Sequence, residues 1–311
     1  MKGFIERNMG VLKNFIKDTA SRIGRKHPEL IVRIRYWLRF HKRLNLDNPE
    51  TLNEKIQYLS LRTDTSEWTR LSDKYGVREY VEECGLGHIL NRLYGVWENA
   101  GDIDFGSMPD RFVVKTTHGS GDVLLVHDKQ AADLEGIRNM VDATLHMTYG
   151  LSEGNIHYSR IRPRVVIEEL IENDQASAIY SKSLIDYKIW CFNGKAAYIW
   201  TCTDRTSDGT KVMTYDTEWN AHPEYSVFTS HYMRDGLIPR PDNLELMLET
   251  AEKLAAPFPV VRVDLFNVAG RVIFGEMTFT SLGGLMDFYT DSFLLETGRM
   301  IDLPKKESVE N

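Results

Sequence analysis

The sequence predicts an α+β chain, and three observations carry that class. Helical apolar spacing dominates the opening stretch, period-two apolar runs crowd residues 165–279, and the two-residue turn signals Asn193-Gly194 and Ala269-Gly270 join successive runs as hairpins. Repeated βαβ units are not the pattern, so a doubly wound parallel sheet is not expected. The 311 residues leave room for about two ordinary domains. An apolar fraction of 42% with 27% charged residues is that of a globular chain and excludes wholesale disorder. The expected division is a basic helical segment over 1–65, a lobe with a Gly-rich loop over 66–164, and a second lobe over 165–311.

Each element has its own signal. Over 28–43 (PELIVRIRYWLRFHKR), Leu30, Ile31, Ile34, Trp37 and Leu38 fall at helical spacing, Arg35, Arg39 and Lys42 recur on another face, and Pro28 suits a first turn. Such a basic amphipathic helix has two readings. One is docking on an anionic membrane surface or near lipid-linked phosphates. The other, expected here because it is the commoner, is that the apolar side packs on the body. Thr51-Leu52-Asn53-Glu54 is a capping box that starts a helix running to about Leu61. A further helix is predicted over 66–84, ending at Gly85. FVVKTT from Phe112 and VLLV from Val123 read as strands around a polar Gly-rich turn, followed by a helix over 131–148. Strands follow at 165–171, 184–192, 196–203 and 212–216, then a helix at 243–255, strands at 259–268 and 271–279, and a last helix near 285–300.

Charge and cysteine usage narrow the function classes. The net charge of −7 divides unevenly: residues 1–46 hold twelve Lys and Arg against three acids (+9), and the remainder holds 26 basic and 42 acidic residues (−16). A basic arm on an acidic body is not the balance of a bulk nucleic-acid binder. Cys84, Cys191 and Cys202 are odd in number and lack metal-type spacing, which points to a reducing compartment. No apolar stretch has membrane-spanning length, and MKGFIERNMG lacks the core of a signal peptide. The expectation is a soluble, cytoplasmic protein, with peripheral contact at the inner face of a membrane if residues 1–46 dock there.

Chemistry collects at four places. Lys115-Thr116-Thr117-His118-Gly119-Ser120-Gly121-Asp122 lies between two strands; small residues admit phosphate oxygens to backbone N–H groups, and the lysine adds a point charge. The Lys-Ser/Thr and helix of a Walker A loop are missing, and alone the segment reads equally as a hairpin turn. Glu168-Glu169-Leu170-Ile171-Glu172 closes an apolar strand, either as a hinge offering backbone groups to an adenine edge and a carboxylate to ribose, or as an ordinary strand end. Lys188 in Asp186-Tyr187-Lys188 alternates with apolar residues; a lysine so buried needs an anion, either polyphosphate or a carboxylate. The most specific feature is Arg262-Val263-Asp264 in one strand and Glu276-Met277-Thr278 in its hairpin partner. Period two puts Arg262 with Asp264, and Glu276 with Thr278. Two carboxylates on a hairpin suit Mg²⁺ with phosphate oxygens completing its shell, the alternative being an Arg–carboxylate structural pair.

In this order the four features resemble the ATP-grasp superfamily, and more closely its TupA-like family of teichuronopeptide biosynthesis. The resemblance runs through NPETLNEKIQYL, DKYGVREYV, RFVVKTTHGSGD, DYKIWCFNGK and FPVVRVDLFNVAGRVIFGEMTF, over roughly residues 45–300. It implies an ATP-grasp fold with ATP between two α+β lobes and Mg²⁺ as cofactor. Lys115 and Lys188 would contact phosphates beneath a lid of Gly119, Ser120 and Gly121. Glu168 and Leu170 would border adenine, with Glu169 also among the nucleotide-binding residues, Glu172 would reach ribose, Asp264 and Glu276 would hold Mg²⁺, and Arg262 would face the reacting centre. Thr278 stands where many relatives place a metal-ligating Asn, and Thr280-Ser281-Leu282-Gly283-Gly284 where many have Pro-Gly.

The activity the resemblance implies is ATP-dependent carboxylate–amine ligation through an acyl phosphate, acting on a surface-polysaccharide precursor such as a uronic acid joined to an amino acid. A phosphotransferase, a glycosyltransferase (suggested weakly by Asp102-Ile103-Asp104) and a degenerate, non-enzymatic membrane adaptor are the alternatives. The nine histidines show no zinc-protease spacing, and neither a Gly-x-Ser-x-Gly turn nor a cysteine-nucleophile motif occurs.

Overall fold

The structure, a computed structural model, describes residues 16–119 and 121–304. Ser120 and residues 1–15 of the basic segment lie outside the described residues. Helices α1 (16–26) and α2 (Pro28–Phe40) open the chain, followed by α3 (Leu52–Arg62), α4 (Ser66–Ser72) and α5 (Val77–Glu83). Strands β1 (Leu93–Trp97), β2 (Phe112–Thr116) and β3 (Val123–Val126) precede α6 (Leu134–Leu145), the short α7 (Ile156–Ser159) and β4 (Val165–Glu169). Strands β5 (Asp186–Phe192), β6 (Lys195–Thr203), β7 (Thr210–Asp216) and β8 (Tyr232–Met233) come next, then α8 (Leu244–Ala255), the hairpin β9 (Val260–Val268) and β10 (Arg271–Thr278), and α9 (Asp291–Arg299). Mixed helices and antiparallel ladders make this an α+β chain.

The residues fall into two compact units, neither contiguous in sequence. The first takes the chain up to Leu44, Asp64–Val77 and Asn91–Leu170; the second takes Asn45–Thr63, Arg78–Leu90 and everything from Ile171 on. The chain crosses between the two units at 44/45, 63/64, 77/78, 90/91 and 170/171.

In the first unit, four antiparallel strands run in the order β1-β4-β2-β3. One face is the core: Phe112, Val114, Val126, Val165 and Ile167 pack with Val141 and Leu145 of α6. The opposite face carries Lys115 across the ladder from Val123, and Glu168 across from Val113. In the second unit, six strands run β10-β9-β5-β6-β7-β8, antiparallel except for the β7–β8 pair. The two hairpin turns take the left-handed backbone expected of them, with Asn193 at φ 48°, Gly194 at 75°, Ala269 at 51° and Gly270 at 77°.

Three elements depart from sequence expectation. The helix predicted over 66–84 is broken into α4 and α5. Asp73 Oδ1 accepts a hydrogen bond from the Tyr75 amide at 2.9 Å, a local turn that competes with helix, and Asp73 is held by Arg164 at 2.6 Å. The last helix starts at Asp291 rather than 285, capped by Thr290, because residues ahead of it pair elsewhere: the Val227 amide donates to the Phe288 carbonyl at 2.8 Å. The α2 helix forms and its capping-box neighbour α3 carries both reciprocal bonds, but the expected packing of the apolar side of α2 does not hold. Of the apolar residues singled out there, Ile31 is buried, with Val32 and Tyr36, and Leu30, Ile34, Trp37 and Leu38 face solvent. The buried side of α2 is seated on the 150–154 turn, where Val32 approaches Gly154 so closely that a Cβ there would lie 2.4 Å from Val32 Cγ2.

Candidate functional site

One face of the six-stranded sheet gathers charge. Lys188 on β5 lies directly across the ladder from Asp264 on β9, and Trp190 across from Arg262. On the other side of β9, Asp264 faces Glu276 and Arg262 faces Thr278. The side chains close on one another. Arg262 donates to both Asp264 oxygens at 2.7 Å and to Thr278 Oγ1 at 3.1 Å, and Lys188 Nζ donates to Asp264 Oδ2 at 2.5 Å. Lys188 also lies 2.6 Å from Asp186 Oδ2, and Arg205 donates to that same oxygen at 3.0 Å. Thr278 Oγ1 donates to Glu276 Oε1 at 3.0 Å, and Arg262 reaches that oxygen at 3.4 Å. Trp190, whose indole donates to the Tyr289 hydroxyl at 2.9 Å, floors the cluster beneath Arg262.

Three cations, Lys188, Arg205 and Arg262, thus balance three carboxylates, Asp186, Asp264 and Glu276. Burial alone would push the Asp264 carboxyl up, but the charges of Arg262 and Lys188 outweigh it and hold the group below the usual carboxylate range. Burial likewise opposes the charge on Lys188, and Asp186 and Asp264 more than restore it. Glu276 differs from the rest: its side chain is 49% exposed. Asp186 Oδ1 is buried without a hydrogen-bond partner in the protein, an oxygen with capacity for a further donor.

The oxygen donors of Asp264, Glu276 and Thr278 are hard ligands of the kind Mg²⁺ takes, and Mg²⁺ commonly needs only one or two carboxylates when phosphate and water fill the rest. Among the described residues no three His, Cys, Asp or Glu side chains converge as a metal centre. The donor set therefore fits a metal shared with a phosphate ligand, Glu276 being its accessible member and Asp264 the one held by cations.

In the first unit, Lys115 Nζ donates to Glu168 Oε2 at 2.8 Å, so the residue expected at phosphate and the one expected at adenine are ion-paired partners here. Val123 and Leu125 lie exposed on the same sheet face. Of the Gly-rich loop, Gly119 is required by close approach, since a Cβ would lie 2.6 Å from Tyr149 Cζ, and Gly121 by its φ of +84°. Lys74 Nζ donates to the Gly119 carbonyl at 2.5 Å, and the Thr117 amide donates to the Arg164 carbonyl at 2.8 Å, fixing the loop's near end. Strand β4 ends at Glu169; Leu170 and Glu172 follow in irregular backbone, where the chain passes from one unit to the other.

Sequence reasoning did not select Asp186, Arg205 or Ser281 as site residues. Asp186 was legible as the residue two before Lys188 on the same strand face. Arg205 sits in the β6–β7 turn and carries no periodic signal. Ser281 accepts a hydrogen bond from Arg262 Nη1 at 2.6 Å, within a loop where Leu282, Gly283 and Gly284 all have positive φ. Gln57 of α3 donates to the Gly283 carbonyl at 2.7 Å and pins that loop. Asp102 and Asp104 serve turns: Asp104 Oδ1 accepts from the Gly106 amide at 2.9 Å and Asp102 from Asn99 at 2.9 Å. No helix among the described residues is long and apolar enough to cross a membrane.

The family model described as TupA-like ATPgrasp matches residues 54–302, most of the chain. No curated protein matches it. Among solved structures, an L-amino acid ligase from Bacillus licheniformis aligns with 83% of this chain and 56% of its own, at 12% identity and a TM-score of 0.47. A D-alanine–D-alanine ligase from Bacillus anthracis aligns over 75% of this chain and 64% of its own, at 15% identity and TM-score 0.44. The Helicobacter pylori D-alanine–D-alanine ligase gives 83% and 68%, with 16% identity and TM-score 0.44. This chain thus spans less than two thirds of the first two ligases.

Proposed function

The chain belongs to the TupA-like ATP-grasp family, and from that premise we propose that it is an ATP-dependent ligase joining a carboxylate to an amine, with ATP and Mg²⁺ as its cofactors. In this reaction the substrate carboxylate takes the γ-phosphoryl group of ATP, giving an acyl phosphate and ADP, and the amine then displaces phosphate to form an amide. The observation that carries the reading is the buried Lys188–Asp264–Arg262 cluster with half-exposed Glu276 beside it. Full charges cost too much to bury on one sheet face unless they are paired, and paired charges of this composition can re-pair with a metal and an anionic ligand.

Bound Mg²⁺ would supply positive charge to neutralise phosphate oxygens. Asp264, Glu276 and Thr278 would hold it, and Lys188, released in part from Asp264, would turn its ammonium to phosphate. Arg262 would stabilise charge developing on the transferred group, its guanidinium already fixed by Asp264, Thr278 and Ser281. Such pre-set donors spend no reorganisation energy at the moment of reaction. In the first unit, Lys115 would leave Glu168 for a phosphate, Gly119, Ser120 and Gly121 would offer backbone amides, Glu168, Glu169 and Leu170 would border adenine, and Glu172 would meet ribose. Exposed Val123 and Leu125 give that sheet face an apolar surface suited to a base.

The acceptor in this proposal is a surface-polysaccharide precursor, a uronic acid amidated by an amino acid, on family analogy alone. A peripheral membrane contact through residues 1–46 belongs to the same reading. ADP release that depends jointly on a carboxylate and an amine is the expected result; release that needs no amine, with a phosphorylated product by mass spectrometry, identifies a phosphotransferase instead.

A further inference from the structure

We infer that the solvent-facing side of α2 is a docking surface for an anionic lipid bilayer. This deepens the membrane-contact reading of the opening segment and is independent of the phosphoryl chemistry. The exposures carry it: Leu30 is 49% accessible, Ile34 45%, Trp37 55% and Leu38 61%. At about 100° per residue these fall within one sector of the helix, spaced i, i+4, i+7 and i+8. The buried residues Ile31, Val32 and Tyr36 lie around the other side and already anchor the helix to its own unit. This helix is apolar on two sides, and the fold uses only one of them.

The surroundings name the occupant. Arg33, which donates to Glu29 and to the Leu44 carbonyl, lies on one flank of the exposed stripe. Arg35 and Arg39 lie toward the buried side, Arg35 donating to the Ser152 carbonyl. Exposed Lys42 and Arg43 follow just past the helix end. Lys17, Arg22, Arg25 and Lys26 of the preceding helix α1 are exposed as well. Residues 16–46 hold nine basic side chains and two acidic ones, Asp18 and Glu29, while the chain after residue 46 is acidic. An anionic bilayer is complementary in charge to this segment and not to the rest of the chain. Trp37 belongs at headgroup depth, with Leu30, Ile34 and Leu38 entering the acyl boundary. A second copy docking by the same face would bring two basic segments together, and nucleic acid offers nothing to the apolar stripe.

The test is co-sedimentation of the full chain with phosphatidylcholine vesicles, with and without phosphatidylglycerol. Binding is expected only with the anionic lipid and should weaken as salt rises. Trp37→Ser with Leu38→Ser should reduce binding by about tenfold or more, since each buries substantial apolar area. Lys26→Glu with Arg43→Glu should reduce it by at least about fivefold per charge. Both pairs are solvent-facing, and circular dichroism with an unchanged unfolding temperature verifies the fold. The emission lost in Trp37→Phe should shift to the blue on vesicle binding. Wild-type binding that survives Trp37→Ser/Leu38→Ser keeps a membrane contact and overturns this surface. No wild-type binding overturns both, and self-association abolished by the same variant, without vesicle binding, assigns the face to a second copy.

Discussion

Asp264 and Glu276 stand directly opposite each other in the β9–β10 ladder because of a bulge at Gly275. From the turn outward, Arg271 pairs with Val268 and Phe274 with Leu265; beyond Gly275 the register slips by one, so that Glu276 meets Asp264 and Thr278 meets Arg262. With Gly275 paired in regular register and no slip, Glu276 would oppose Val263 and project from the other face of the sheet. The pairing of the two carboxylates is therefore made by a glycine that carries no chemistry of its own.

Gly275→Ala is accordingly expected to disturb the site. A Cβ at this position would lie 2.8 Å from the Asp264 carbonyl oxygen, a backbone atom that cannot turn aside. The variant should lose about 1–3 kcal/mol of stability and most of any Mg²⁺-dependent rise in unfolding temperature with ATP. Retention of both in thermal-shift measurements counts against the bulge as the organiser of the hairpin site.

Asp264→Asn removes the anion shared by Lys188 and Arg262. Breaking a buried pair from one side typically costs about 3–5 kcal/mol, because the remaining charges stay buried. Urea denaturation should show a loss in that range. Lys188→Met in the Asp264→Asn background should then cost far less than in the wild type, the coupling being read from the double-mutant cycle.

Thr278→Val keeps the shape of the side chain and deletes the hydroxyl that accepts from Arg262 and donates to Glu276. About 1–2 kcal/mol of stability should go with it, the cost of leaving a buried guanidinium donor unmet. If the hydroxyl also ligates metal, half-maximal Mg²⁺ in an ADP-release assay should rise several-fold. An unchanged Mg²⁺ requirement leaves Thr278 with a purely organising part.

His157 sets an acid-side weakness. It is fully buried, both ring nitrogens lack hydrogen-bond partners, and burial pushes its pKa down to about 3. The unfolded chain takes up a proton below about pH 6.5 that the folded chain refuses. The folded state is therefore penalised progressively as pH falls from 6.5 toward 3, by about 4–5 kcal/mol in all. His157→Leu should flatten that part of the stability–pH curve; a parallel curve for the variant and the wild type counts against it.

The sequence by itself determined the α+β class, the hairpins and which residues of a strand share a face. Apolar periodicity, Asn193-Gly194 and Ala269-Gly270 are local signals, and the physics that reads them, side-chain alternation and left-handed turn preference, is local too. It also put Lys188 and Arg262-Val263-Asp264 among apolar neighbours, where charge demands partners. Tertiary structure alone decided which partners: the slip at Gly275 that turns Glu276 toward Asp264, the arrival of Arg205 from a turn with no periodicity, and the pairing of Lys115 with Glu168 from a strand fifty-three residues away. It also decided that α2 keeps Leu30 and Trp37 in water, because a helix with two apolar sides can seat only one of them, and sequence spacing does not say which.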